Sequence, residues 1–416
     1  MWTRGRRGRG RTAPCGFAAL LAIASLAAAG LGIGNGLAAT PSMTGGGKKP
    51  EFQTSVPNVV LLDPASDSIL FEKNADQPVE PASLAKLMTL EFVFHQIKDG
   101  KLKLTDQFTI SENAWRKGGA PSHGSTMFAA IHSQVSVDDL IRGIVVDSAN
   151  DACMALAEGL AGNEAAFGAM LTKRAREIGL EHSTFTNSTG YSDPGLRVTV
   201  RDLAQLARYI IKTYPDFYPY FAQREFAWNK INQQNRNPLL GMGLGADGLK
   251  TGETADAGFG LVGSAVQDEL RLIVVLAGAK SDKERAEEAR KLLEWGFHDF
   301  ETRVLFTEGQ TVGEAKVFGG ASSYVPLVGP GIVRVMMPRD SDERLSARIV
   351  YTGPVPAPVV KGQPIGKLIV NRGDNLALEV PLRAAEDDGP GSMSKRAMDA
   401  VTELMIGLFR AGVDRL

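Results

Sequence analysis

The sequence predicts an α/β (α+β) domain, built as a sheet with helices on its faces and a helical insert. A small all-β domain and an amphipathic C-terminal helix follow it. Three observations predict this. Runs of β-type residues near 59–73 and 261–278 bracket a middle stretch with helical spacing. Beyond about residue 303 the pattern changes to short β-type runs separated by Pro and Gly. Past residue 394 apolar residues recur with a helical period.

Taken in order, residues 1–39 read as a signal peptide. Arg4, Arg6, Arg7, Arg9 and Arg11 precede an apolar run over 17–31, and small residues follow. An uncleaved membrane anchor is the other reading. Residues 40–53, with Gly45-Gly46-Gly47, form a flexible lead-in. The domain proper spans 54–300. It opens with a hairpin, 59–62 against 69–73, around the turn residues of 63–67. A helix over 82–98 carries Leu84, Leu87, Met88, Leu90 and Val93 at helical spacing, with Pro81 just ahead. Helical patterns run from 137 to about 213. Strands over 261–266 and 270–278 and a helix over 284–300 close the domain. Residues 301–384 read as a β-sandwich or barrel and 385–394 as a polar linker. In 395–416, Ala397, Met398, Val401, Leu404, Met405, Leu408 and Phe409 share one helical face. Arg396, Asp399, Glu403, Arg410 and Asp414 fall opposite. Such a helix is too short and too charged to span a bilayer. It lies on a membrane surface, or packs on its own protein or on a partner.

Composition removes several functions. Of 416 residues 44% are apolar, enough for a sizeable core, and the formal net charge of −1 argues against a nucleic-acid surface. The five histidines are scattered, and neither HExxH nor paired CxxC occurs, so no metal site and no cofactor are expected. Cys15 falls in the leader, which leaves Cys153 without a disulfide partner. It reads as a small apolar filler on a buried helix face.

Three short motifs carry chemistry. Ser83-Leu84-Ala85-Lys86 places a hydroxyl and an amine one helical turn apart. A serine needs a neighbouring base, and a lysine is one only when burial or nearby positive charge lowers its pKa. The spacing alone is common, since Ser392 and Lys395 share it. Ser148-Ala149-Asn150 supplies a hydroxyl able to relay protons and an amide able to grip a peptide. The same residues also read as an N-cap for the apolar run 152–160. Lys250-Thr251-Gly252 offers a cation, a hydroxyl and a bare backbone at a strand edge, or simply a turn with a surface lysine. The two lysines need opposite states: Lys86 neutral for part of the cycle, Lys250 charged to hold a carboxylate.

Together and in this order the motifs resemble the S-x-x-K, S-D-N, K-T-G set of penicillin-binding proteins and class A β-lactamases, with Ala149 at the Asp position. The stretches Pro81-Ala82-Ser83-Leu84-Ala85-Lys86-Leu87-Met88-Thr89, Leu140-Ile141-Arg142-Gly143, Ser148-Ala149-Asn150-Asp151-Ala152-Cys153 and Asp247-Gly248-Leu249-Lys250-Thr251-Gly252 resemble the D-Ala-D-Ala carboxypeptidases of the S11 peptidase type. The resemblance implies a serine β-lactamase/transpeptidase-like domain with a central antiparallel sheet. It makes Ser83 the acylated nucleophile, Lys86 its base and Ser148 a proton relay, with Asn150 positioning the peptide. Lys250 and Thr251 would bind the terminal carboxylate. The amides of Ser83 and of the residue after Gly252 would form the oxyanion hole, and Arg285 and Arg236 would stand near the carboxylate. The implied partners are peptidoglycan pentapeptide, β-lactams as inhibitors and the inner-membrane surface, reached from the periplasm through the C-terminal helix. Ala149 in place of Asp resembles the carboxypeptidases more than the β-lactamases, whereas Glu253 after the third motif departs from the pattern. A β-lactamase would also need a Glu-x-x-x-Asn carboxylate, and neither Glu177 nor Glu181 has Asn four residues on. A D,D-endopeptidase would share all the chemistry but is typically shorter. A non-catalytic wall-binding scaffold would be expected to have lost at least one motif.

Overall fold

The computed structural model describes residues 52–339, 344–373 and 375–413, with side chains from 405 onward left aside. The expected signal peptide and nearly all of the lead-in lie outside the described residues, as does Asp414. The described chain forms two compact units, one of 52–301 with 336–339, the other of 302–335 with the remainder.

The first unit is built on an antiparallel sheet. Strands β1 (Asn58–Asp63) and β2 (Ser68–Lys73) form the expected hairpin. The small hairpins β3 (Gln107–Thr109) with β4 (Gln134–Ser136) and β5 (Glu225–Trp228) with β6 (Ile231–Gln234) lie outside the sheet. Strands β7 (Ala246–Thr254), β8 (Gly258–Gln267) and β9 (Leu270–Ala279) complete the order β2-β1-β9-β8-β7, so β7 is an edge. Successive side chains alternate between the faces, and both faces are covered. On one, Val60, Leu62, Ile273 and Val275 meet α1 (Lys86–Lys98) and α6 (Val200–Thr213). On the other, Leu61, Leu272, Val274 and Leu276 meet α7 (Asp282–Asp299) through Leu292, Leu293 and Phe297. Two covered faces explain why β9 reads as a continuous apolar run.

The insert carries α2 (Glu112–Gly118), α3 (Val137–Arg142), α4 (Asn150–Ala161) and α5 (Glu164–Glu177). Side-chain oxygens cap α2, α3, α5, α6 and α7, from Ser111, Ser136, Asn163, Thr199 and Ser281. The helices α1 and α4 have no side-chain cap. The helix expected over 82–98 is two pieces, a 3₁₀ turn Ala82–Ala85 leading into α1. The helical stretch expected to reach 213 is broken at 178–199, a non-helical segment tied down by the bridges Val79↔Val198 and Thr184↔Arg197. Its Asn, Ser, Gly and Pro residues favour turns over helix.

The second unit is all-β apart from its last helix. A ribbon, β10 (Phe300–Phe306) with β13 (Val333–Pro338), accompanies a six-stranded sheet. That sheet contains β11 (Thr311–Phe318), β12 (Tyr324–Val328), β14 (Leu345–Tyr351), β15 (Val355–Pro356), β16 (Pro364–Arg372) and β17 (Asn375–Ala384). The stretch expected as a free linker is laced to this sheet. Asp388 is buried, exchanges backbone hydrogen bonds with Val359, and accepts one from Ser322 N. Helix α8 (Met393–Val413) turns its polar side to the same domain. Glu403 pairs with Lys316 at 2.7 Å, Asp399 accepts from Gly319 N at 3.0 Å, and Lys395 reaches Ala321 O at 2.9 Å. Met398, Val401 and Leu404 remain 59–69% exposed.

One buried ion pair ties the helices of the first unit together. Glu91 in α1 is fully buried and accepts from Arg174 of α5 at 2.9 Å and from Tyr214 OH at 2.9 Å. Removing one partner of such a pair strands the other charge. Glu91→Ala is therefore expected to lower stability by about 3–5 kcal/mol, as a shift in the urea unfolding midpoint.

Candidate active site

Ser83 sits in the 3₁₀ turn and Lys86 is the first residue of α1. Lys86 Nζ lies 2.7 Å from Ser83 Oγ and 2.7 Å from Thr189 O, fully buried. A neutral amine has two hydrogens and one lone pair. It can donate to the Thr189 carbonyl and turn its lone pair to the serine proton, whereas an ammonium would have three hydrogens for these two acceptors among the described residues. Burial pushes the Lys86 ammonium down to about 8, and Arg236 adds to the push. Its place at a helix N-terminus works in the same direction.

The segment 187–191 closes over this pair. Asn187 Oδ1 accepts from the amides of Thr189 and Gly190 and holds the turn. Glu164 accepts from Ser188 N and Oγ, both at 2.7 Å, and Thr89 Oγ1 bonds Ser188 O. Gly190 has φ +83, and a Cβ there would meet Ala82 O at 1.9 Å, so only glycine lets the segment lie against the serine turn.

Ser148 and Asn150 follow a π-helical turn, Gly143–Asp147, of the kind that gathers at functional sites. Ser148 itself has φ 57, a left-handed conformation that non-glycine residues seldom hold. Neither residue caps α4, whose first position is preceded by Ala149, so the capping alternative falls away. Asn150 is 4% exposed. Its Nδ2 donates to Tyr191 OH at 3.0 Å, which in turn donates to Lys117 O at 2.7 Å, and its buried Oδ1 meets no donor among the described residues. Asn150 N donates to Ser125 O, and Arg236 Nη1 reaches Ser125 Oγ at 2.6 Å, which links this segment to Arg236.

Lys250, Thr251 and Gly252 lie on edge strand β7. A Cβ on Gly252 would stand 3.0 Å from Leu84 N and Pro81 O, so this bare backbone lets β7 press against the serine turn. Lys250 is 2% exposed. Burial pushes its ammonium well below the usual range, helped by the charges of Lys86, Arg236 and Arg285. The pocket therefore opposes the charge that Lys250 is expected to carry, because it holds a second amine, Lys86, in the same buried space. Arg285, in α7, is 5% exposed. Its guanidinium pairs with Asp282 and sits 5.6 Å from the centre of the Phe259 ring, and Phe259 is the cross-strand partner of Glu253. It acts on Lys250 through charge, and the hydrogen bond it makes is to Asp282. Cys153 is fully buried, and burial pushes its thiol up to about 12, which suits a filler.

Of the residues singled out in the sequence, the structure joins Ser83 to Lys86 and sets Lys250 and Gly252 beside them, while Thr189 and Tyr191 were not singled out. The Asn187-Ser188-Thr189-Gly190 cluster was the available signal, as turn chemistry inside an apparently helical stretch.

Comparison with known proteins agrees with this geometry. Residues 47–281 match the family described as D-alanyl-D-alanine carboxypeptidase, peptidase S11, and residues 300–389 match the penicillin-binding protein 5 C-terminal domain. The D-alanyl-D-alanine carboxypeptidase DacC of Escherichia coli is 39% identical over 345 residues, covering 82% of this chain and 86% of that protein. The crystal structure of penicillin binding protein 5 from Haemophilus influenzae is 37% identical with a TM-score of 0.72, over 82% of this chain and all of that one. Penicillin-binding protein D2 from Listeria monocytogenes, solved in an ampicillin-bound form, is 27% identical with a TM-score of 0.52. It covers 60% of this chain and all of its own.

The close approach of β7 to the serine turn sets a local test. Gly252→Ala is expected to lower stability by about 1–3 kcal/mol, read as a lower thermal midpoint, because the new methyl meets backbone atoms that cannot move aside.

Proposed function

The chain belongs to the D-alanyl-D-alanine carboxypeptidase family, and on that premise we propose that it removes the terminal D-alanine of peptidoglycan pentapeptide through an acyl-enzyme on Ser83. The observation that carries the assignment is the buried Lys86 amine 2.7 Å from Ser83 Oγ, with its ammonium pushed down to about 8. Neutral Lys86 takes the serine proton as Oγ attacks the penultimate carbonyl. The amides of Ser83 and Glu253 receive the oxyanion. Ser148 returns the proton to the leaving D-alanine nitrogen, water then attacks the ester, and the D-alanine-shortened peptide leaves. The substrate backbone lies along the free edge of β7, where strand addition is available, and the unsatisfied Asn150 Oδ1 accepts from a substrate amide. Lys250 and Thr251 hold the terminal carboxylate, and that anion favours the charged form of Lys250 against the effect of burial. Arg285 and Arg236 add longer-range attraction. β-Lactams acylate the same serine.

The membrane side of the proposal rests on α8. Its polar face is tied to the β-domain by Glu403 and Asp399, while Met398, Val401 and Leu404 face outward. Among the described residues no helix is long and apolar enough to cross a membrane. Surface attachment to the outer face of the inner membrane, in the periplasm, fits that arrangement, each buried large side chain contributing roughly 1.5–3 kcal/mol. The basic-then-apolar N-terminus would supply the export signal.

Ser83→Ala should keep its thermal midpoint and lose all covalent labelling by fluorescent penicillin; labelling at the original rate would place the nucleophile elsewhere. The acylation rate constant of the unaltered enzyme should rise about tenfold per pH unit below 8 and level off above it, since only neutral Lys86 is a base. Lys86→Arg, which keeps the charge and cannot shed its proton, should be nearly inactive at every pH. Leu404→Glu with Leu408→Glu should move the protein from the membrane to the soluble fraction, with hydrolysis of a soluble pentapeptide unchanged.

A further inference from the structure

Two carboxylates stand four residues apart around the second motif, in opposite surroundings. Asp151 accepts from Thr126 Oγ1 at 2.6 Å and from the amides of Met127, Ala129 and Ala152 at 3.1–3.2 Å. Asp147 is 1% exposed, and among the described residues no donor reaches either of its oxygens. Four hydrogen bonds give Asp151 a structural role, opposing the burial that pushes its carboxyl up. Asp147 has none, although it ends the π-turn and immediately precedes Ser148. A buried carboxylate without donors is poorly tolerated as an anion, so its presence here calls for a function.

The groups on the elements packed around that turn are otherwise engaged. On α3, Asp138 and Arg142 pair with each other, and Asp139 accepts from Ser136 Oγ. On α4, Asp151 is satisfied as described. On β5, Glu225 is bound by Asn232 and Gln234, and β6 brings no charge. In the 3₁₀ turn Tyr218–Ala222, the Tyr218 and Tyr220 hydroxyls donate to Asp247 and Asp138. The cations acting on Asp147 are those of the carboxylate pocket, Arg236 and Lys250. Burial still outweighs them and pushes the Asp147 carboxyl up to about 7.

We propose that Asp147 makes capture of a carboxylate-terminated ligand proton-linked: as the ligand's carboxylate settles against Lys250 and Thr251, Asp147 takes one proton from solvent. The inference rests on the assignment of that pocket above. The balance is simple. Ionised Asp147, the ligand carboxylate and one solvent proton go to a neutral Asp147 carboxyl beside the bound anion. No ligand bond breaks, and the pocket exchanges one negative charge for another. Binding is then tightest where Asp147 is already protonated and weakens as the pH rises through 7. Asp147 acts through the charge of the pocket and is a positioning residue, separate from the groups that exchange protons with the serine.

The test separates binding from chemistry in the acylation of the enzyme by benzylpenicillin. At each pH from 5.5 to 9, the dependence of acylation rate on penicillin concentration gives the dissociation constant of the initial complex and the limiting acylation rate. The dissociation constant is expected to be flat below about pH 6 and to climb by up to about tenfold per pH unit above 7. Asp147→Asn should remove the climb that begins near 7 and leave the pH dependence of the limiting rate, which belongs to Lys86, in place. Asp147→Glu, which keeps a carboxyl, should retain the climb. If the Asn variant does not fold, Asp147→Ala, smaller and without charge, gives the same readout. A dissociation constant with the same pH profile with and without the carboxyl overturns the proposal. An enzyme never labelled at Ser83 fails the site assignment instead, so the two failures are distinguishable.

Discussion

The rest of this structure depends on keeping one lysine dry. The base role proposed for Lys86 requires burial to bring its ammonium down to about 8, and that burial has to be built from several directions. The sheet and α1 supply the floor. The loop from Asn187 to Tyr191 supplies the roof, held by Glu164 and Thr89 and admitted over the serine by the missing side chain of Gly190. Edge strand β7 supplies the wall, brought close by the missing side chain of Gly252. Each of these contacts is hydrogen-bonded or sterically fixed, so the amine and the hydroxyl meet at one distance.

The same dryness governs the other charges. Where a carboxylate is needed for architecture, as at Asp151 and Glu91, donors saturate it or an arginine meets it. At Asn150 Oδ1 and at Asp147, which flank Ser148, buried oxygens meet no donor among the described residues. The helices divide in the same way. Those that only build the fold begin with a capping side chain, and α1 and α4, which begin at Lys86 and Asn150, do not. Local rules of stability are relaxed at the positions where chemistry is done.

Much of this was legible in the sequence, and the exceptions have physical reasons. Periodicity placed the opening hairpin, β8, β9 and five strands of the β-domain, because each buries a face against neighbours that demand apolar residues. It did not separate the 3₁₀ turn from α1, since both share the same apolar face. It read 178–199 as helical because apolar residues there happen to fall between turn residues whose side chains bond their own backbone. The segment after 384 looked like a linker because its residues are polar, yet Asp388 is held through the backbone, which leaves no pattern in side chains. The motif residues were found by type and order. Thr189 contributes a carbonyl, which any residue would provide, so its side chain gave no signal and only the turn residues around it marked the segment.

Strand β7 has an implication beyond catalysis. An unpaired sheet edge is a hazard for any protein, because a second copy of the chain can extend the sheet and begin an aggregate. Here that edge cannot be covered without closing the site. The deterrent is composition: the strand carries Asp247, Lys250 and Glu253 within seven residues, and Lys250 is drawn inward beneath its surface. A neighbouring copy of β7 would bring the same charges against their own kind and bury a second lysine beside the first. The arrangement proposed to hold an extended peptide ending in a negative charge thereby also opposes pairing of this edge with a second copy.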